Sequence, residues 1–188
     1  MRLGKSNRRM TTPTLHTDRL LLRAHTLADA PELARLAGAR EVAATTLRIP
    51  HPYSLADAEA FITGWQDADE RVAFAIVLRE NSVLLGGAGL RLEKEHRHAE
   101  LGYWIGTPYW GKGYATEDAR AILRYGFEVL KLHRIHASHF ADNAASGNIL
   151  RKIGMKHEGR QPQHILKWGR YLDLELYGML DTDLRPSA

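Results

Sequence analysis

The chain has 188 residues, 44% of them hydrophobic and 26% charged, with 26 Lys and Arg against 22 Asp and Glu and no cysteine. A chain of this size buries roughly 70% of its unfolded surface, its balance excludes disordered and collagen-like classes, and the missing thiols exclude disulfides and thiolate metal centres and fit a cytoplasmic setting. No apolar run reaches the roughly 18 residues of a membrane helix, and the net charge of +4 favours anionic partners.

The basic start, "MRLGKSNRRMTTPT", has no apolar stretch of the kind a signal peptide needs. Met1–Pro13 reads as a loose tail ahead of one domain from Thr14 to Leu184, with residues 185–188 trailing. No repeat or Gly/Ser linker marks a second domain. "RLLLRAH" reads as a first strand. Thr26 with Asp29, and Ser54 with Asp57, form capping-box pairs that predict helices over Leu27–Ala39 and Leu55–Ala68. The loop "TTLRIPHPY" lies between them. "RVAFAIVLR" and "SVLLGGAGLRLE" read as strands joined at Glu80–Asn81. "HAELGYWIG" alternates Ala99, Leu101, Tyr103 and Ile105 against Glu100, Gly102 and Trp104, which predicts another strand.

Next comes "YWGKGYATEDARAILRYGF", in which Ala115, Ala119, Ile122, Leu123 and Phe127 fall on one helical stripe that continues to Leu130. "RIHASHF" is a buried strand, and "NAASGNILRKIG" a short helix stopped by Gly154. Two strands close the chain, the last being "RYLDLELYGML". This order predicts an α/β chain of the α+β type. Its mixed, mostly antiparallel sheet has about seven strands, with about four helices on both faces.

Gly111 and Gly113 stand after a strand and directly before a helix. Two readings fit. Glycine serves any tight turn; it also lets the backbone approach an anion with no Cβ in the way. A helix start adds unpaired N–H groups and partial positive charge, which together hold phosphate. Lys112 adds charge. The spacing is neither a Walker loop nor the Rossmann fingerprint.

"ELGYWIG" at Glu100–Gly106, "PYWGKGYATE" at Pro108–Glu117 and "DNAASGNILRKIGM" at Asp142–Met155 together resemble the GNAT superfamily of N-acetyltransferases, most closely its RimJ/RimL-like branch. The resemblance spans about Thr14 to Leu184. It implies transfer of an acetyl group from acetyl-CoA to a primary amine, by direct attack in a ternary complex. It also implies a sheet splayed between "ELGYWIG" and "RIHASHF", with pantetheine in the gap. The turn Trp110, Gly111, Lys112, Gly113, Tyr114, Ala115, Thr116 would hold the pyrophosphate. The wider superfamily often begins that turn with Arg or Gln; Trp110 here matches the RimJ/RimL pattern. The amides around Tyr103, Trp104 and Ile105 would bond the pantetheine arm as an added strand does, one of them facing the thioester oxyanion. Asn143 either reaches the arm or caps its helix.

Many superfamily members carry a Tyr seven residues after the Asn as the acid for the leaving thiolate. Here that position is Leu150, which cannot donate a proton. In the RimJ/RimL-like branch a serine at the Ser146 position takes this role; otherwise Ser146 only occupies the first helical turn. Glu100 is the candidate base, acting through water, or else a solvated carboxylate.

The acceptor would enter opposite the cofactor, past Arg48, His51, Tyr53 and the segment around Gln163–Arg170. An α-amine, with a pKa of about 7.7–8.0 against about 10.4 for lysine, suits a site without a strong base. The expected acceptor is a protein N-terminus of ribosomal-protein type, with polyamines, antibiotics and other small amines as the alternative. A non-catalytic acyl-CoA-binding module would keep the glycine turn without needing Ser146 or Glu100. A nucleic-acid binder would cluster its basic residues, which here are scattered among acids. No metal is expected: on a strand His136 points away from His133 and His139, and no carboxylate or Cys accompanies them. The expected partners are therefore acetyl-CoA and an amine, with neither membrane nor nucleic acid. A homodimer is compatible with this reading.

Overall fold

A computed structural model describes residues 12–66 and 70–184. Eight strands form one sheet in the order β1-β2-β3-β4-β5-β6-β8-β7. They are β1 (Leu15–His16), β2 (Leu20–Arg23), β3 (Arg71–Leu78), β4 (Leu84–Glu93), β5 (His98–Ile105), β6 (Arg134–Phe140), β7 (Lys156–Lys167) and β8 (Arg170–Leu180). Neighbours pair antiparallel except β5 with β6, which are parallel and joined through a crossover helix. The helices are α1 (Ala30–Ala37), α2 (Arg40–Thr45), α3 (Leu55–Gln66), α4 (Tyr114–Arg124) and α5 (Ala144–Lys152).

The sheet is covered on both faces, and the strand pattern explains how. On β4 and β5, Leu90, Leu92, Ala99 and Leu101 enter a core with Ile122 and Leu123 of α4. The opposite face packs Ala75 and Val77 against Leu33, Leu36, Ala58 and Ile62 of α1 and α3. Residues Val72–Val77 of β3 are consequently buried without alternation, as expected for a strand covered on both sides.

Local signals set most boundaries. The Ser54 hydroxyl accepts from Asp57 N–H at 3.1 Å while the Asp57 carboxylate accepts from Ser54 N–H at 2.7 Å, so α3 starts on a reciprocal capping box. The same device at Thr26 starts only a 3₁₀ turn, Leu27–Asp29, and α1 proper begins at Ala30. The predicted helix to Ala39 ends at Ala37, and the chain turns at Gly38 and Ala39 into α2, which the sequence reading left unassigned. The helix predicted to Leu130 is α-helical to Arg124 and widens into a π turn over Tyr125–Val129. The two-residue β1 raises the strand count from seven to eight, and α2 raises the helices from four to five. The proposed tails and the end of the helix predicted to Ala68 lie wholly or mostly outside the described residues.

The feature that makes room for a site is the β5–β6 junction. Only His98, Ala99 and Glu100 pair with β6, opposite Arg134, Ile135 and His136. Beyond Glu100 the strands part, although β5 runs on to Ile105 and β6 to Phe140. A cavity of about 780 Å³ opens there, walled by residues from both faces of the sheet.

Candidate active site

One end of the cavity is main chain. After β5 the chain makes a 3₁₀ turn over Thr107–Tyr109, and the Trp110 indole N–H donates to the Ile105 carbonyl at 2.5 Å. Gly111 and Gly113 follow with φ of +74° and +81°, a region L side chains rarely adopt. A Cβ on Gly111 would meet nothing within 4 Å, so the glycine answers to backbone angle and leaves an open approach. Gly113 caps α4 without a side-chain hydrogen bond, and the first helical bond there runs from Glu117 N–H to the Gly113 carbonyl. The amides of Tyr114, Ala115 and Thr116 thus precede the helical ladder, where anions are held.

A clamp from the turn between β1 and β2 fixes this turn. The Arg19 guanidinium donates to the Lys112 carbonyl at 3.0 Å and to Glu117 at 2.7 Å, and lies 4.6 Å from the Tyr114 ring centroid. The Thr17 hydroxyl donates to the same carboxylate at 2.6 Å. Burial pushes the Glu117 carboxyl up, and the bonds from Thr17 and Arg19 together overcome it and hold the group below its usual range. The sequence reading missed Thr17 and Arg19, because nothing local marks residues 100 and 98 positions away as partners.

In the middle of the cavity the Tyr103 hydroxyl lies 2.8 Å from Ser146 Oγ. Burial is the main reason that the Tyr103 phenol is pushed above its usual range; its bond with Ser146 opposes this, and Asp118 and Tyr177 add to it. The phenol therefore stays protonated. Asn143 accepts from Ser146 N–H at 3.2 Å and caps α5, so the capping role weighed from the sequence is present. Leu150 is fully buried in the core.

The other end is built from side chains. Arg48, from the loop after α2, donates to Glu100 Oε2 at 2.5 Å. Arg91 of β4 faces Glu100 across the strand ladder, and Arg71 of β3 faces Arg91. His25 is buried in the same wall against the Phe61 ring, at 5.3 Å between centroids. Its imidazole is lowered to about 4, by burial first and Arg23 second, with Asp29 opposing.

All the residues expected at the site line this one cavity except Lys112 and His51. The Lys112 ammonium instead sits 5.7 Å from the Tyr109 ring centroid, and His51 packs on Trp168 at 5.9 Å. The segment Gln163–Arg170 is also outside the wall; its Lys167 donates to the Thr46 carbonyl, in the loop after α2, at 2.6 Å. His133, just before β6, and His136 and His139 on it do part company. His133 faces Asp181 at 3.3 Å, and His139 bonds the Phe140 carbonyl at 2.8 Å. His136 instead meets His98 and Glu93, with donor atoms within 4.8 Å of one another, a grouping across three strands that spacing along one strand did not show. Arg71, Arg91 and His25 were likewise missed, since sheet register brings the two arginines to the site and His25 reaches it from the loop after β2.

A family model described as "Acetyltransferase (GNAT) domain" matches residues 19–156. The N-acetyltransferase YoaA of Bacillus subtilis (strain 168) is 32% identical over 173 residues, covering 89% of this chain and 97% of that protein. The [ribosomal protein uS5]-alanine N-acetyltransferase of Escherichia coli (strain K12) is 30% identical over 128 residues, covering 68% of this chain and 61% of that one. Among solved structures, a spermidine N-acetyltransferase chimera from Vibrio cholerae SpeG and hSSAT superposes with a TM-score of 0.76 at 25% identity, covering 87% of this chain and 96% of that one.

Proposed function

The chain belongs to the GNAT acetyltransferase family, and on that premise we propose that its acceptor is the N-terminal α-amine of a protein, of the ribosomal-protein type. It is an N-acetyltransferase that uses acetyl-CoA. The observation that carries the acceptor assignment is that Glu100 is the only carboxylate among the described residues of the cavity wall, already bonded through one oxygen to Arg48. A single, partnered carboxylate is a modest base. It suits an amine that is roughly one-tenth neutral at pH 7, as an α-amine is, far better than a lysine amine.

In this reading the pyrophosphate lies on the amides from Gly111 to Thr116, and pantetheine runs along the edge of β5 that β6 leaves unpaired. The amine nitrogen attacks the thioester carbonyl carbon. Glu100 takes the amine proton through a water, and an amide of the Tyr103–Ile105 stretch faces the oxyanion. The carbon–sulfur bond breaks, and Ser146 gives its hydroxyl proton to the departing thiolate. Tyr103, whose hydroxyl lies 2.8 Å from Ser146 Oγ, orients the serine and keeps its own proton, and the proton that Ser146 gives up is replaced from water.

The test compares peptides bearing a free N-terminal Ser, Thr or Ala with the same peptides blocked at the terminus but carrying a free lysine, and with spermidine, following released thiol. Free N-termini are expected to react fastest. Faster turnover of the blocked, lysine-bearing peptides or of spermidine overturns the assignment and leaves a small-amine acetyltransferase.

A further inference from the structure

We propose that Arg91 and Arg48 form a carboxylate-binding subsite, which receives an anionic group that the acceptor carries beside its amine. This rests on the N-acetyltransferase reading above and narrows its substrate class. Strand register places Arg71, Arg91 and Glu100 side by side on one face of β3, β4 and β5. Like charges opposite one another weaken a ladder, yet two guanidinium groups stand together here in a cavity wall. Arg91 Nε is buried without a hydrogen-bond partner among the described residues, an arrangement that costs stability until an acceptor arrives. Glu100 makes its ion pair with Arg48, through Oε2 at 2.5 Å, and not with Arg91.

The phosphates of the cosubstrate do not explain these charges. Five residues of extended strand, at about 3.3 Å each, separate Glu100 from Ile105 by about 16 Å, and the glycine turn lies beyond that. A carboxylate at the Arg91 end would instead accept two parallel N–H bonds from the guanidinium fork. Glu100 would remain beside the incoming amine. A polyamine brings only positive charge to this wall, so the geometry disfavours it.

The experiment measures kcat/KM for tetrapeptides with a free N-terminal Ser that differ only at the second residue, Asp, Asn or Lys, alongside spermidine and free serine. The Asp peptide is expected to exceed the Asn peptide at least tenfold and the Lys peptide by more. In Arg91→Gln the Asp-to-Asn ratio is expected to fall to about two, with circular dichroism confirming the fold. If Arg91→Gln does not fold, Arg48→Gln serves as the second variant and should also shrink the ratio. Equal rates for Asp and Asn peptides overturn the subsite while leaving N-terminal acetylation standing; a ratio that survives both variants overturns the assignment to these arginines. Fastest turnover of free serine keeps the subsite, with the α-carboxylate as its ligand, and overturns the protein acceptor. Fastest turnover of spermidine overturns both.

Discussion

At the α4 end of the cavity the chain offers main chain: two glycines at positive φ and three amides ahead of a helical ladder, held from outside by Arg19 and Thr17. At the β4 end it offers side chains: Arg48, Arg91, Glu100 and a buried His25, projected from strands and a loop whose own backbones are otherwise engaged. In the function proposed above, the difference matches what each end has to recognise. Coenzyme A is the same molecule in every turnover, and amides serve a fixed anion at no side-chain entropy cost. The acceptor carries the specificity, and charge placed on side chains can change without disturbing a turn.

The sharpest way to break this contrast is Glu100→Gln. If the side-chain end does the proton chemistry, kcat/KM should fall about 100-fold, the low end for general base catalysis, while calorimetric affinity for acetyl-CoA holds. An equal loss of acetyl-CoA affinity would mean that the two ends are not separable. The next effect is on stability. His25 is lowered to about 4 in the folded chain from its usual 6.5, so between those values the unfolded chain binds a proton that the folded chain refuses. Stability should therefore fall as pH drops below 6.5, by about 2 kcal/mol from pH 7 to pH 5. Denaturant titration at the two values checks it, and His25→Leu should remove this part of the slope.

At the main-chain end, Gly113→Glu places charge and a Cβ where φ is +81° and should weaken acetyl-CoA at least about tenfold, or about 1.4 kcal/mol. Lys112→Ala provides the contrast. Its ammonium lies outside the cavity wall, so affinity should stay within about twofold, the size of effect usual for an exposed charge. A larger loss for Lys112→Ala than for Gly113→Glu would reverse the picture of a backbone cradle. The smallest effect expected on catalysis is at the middle. Ser146→Ala should lower kcat about fivefold with unchanged acetyl-CoA affinity, since a thiolate of pKa about 8.5 leaves tolerably unaided. An unchanged kcat, where chemistry limits the rate, returns Ser146 to the first turn of α5.

Features with a local cause were legible in the sequence. The alternation of "HAELGYWIG", the helical stripe from Ala115 to Leu123 and the strand "RIHASHF" each became the expected element. The glycines of the turn before α4 were visible because only glycine takes those angles without strain. Even the misplaced start of α1 has a local origin, since the Thr26–Asp29 cap forms but initiates a 3₁₀ turn first. The second glycine-marked break, at Gly38, was overlooked because α2 has only six residues and no capping side chain.

What tertiary structure alone decided is which side chains meet. Arg48 and Glu100 are 52 residues apart, Tyr103 and Ser146 are 43, and Arg19 and Glu117 are 98. Period and propensity act within a few residues, so they set strands and helices and the backbone turn between them. The register that lines up Arg71, Arg91 and Glu100, and the parting of β5 from β6 after Glu100, follow from packing both faces of the sheet at once. A register shift of one residue would send each of those side chains to the opposite face. The main-chain end of the site was therefore readable from a short segment, while the charged end came into existence only when distant strands were paired.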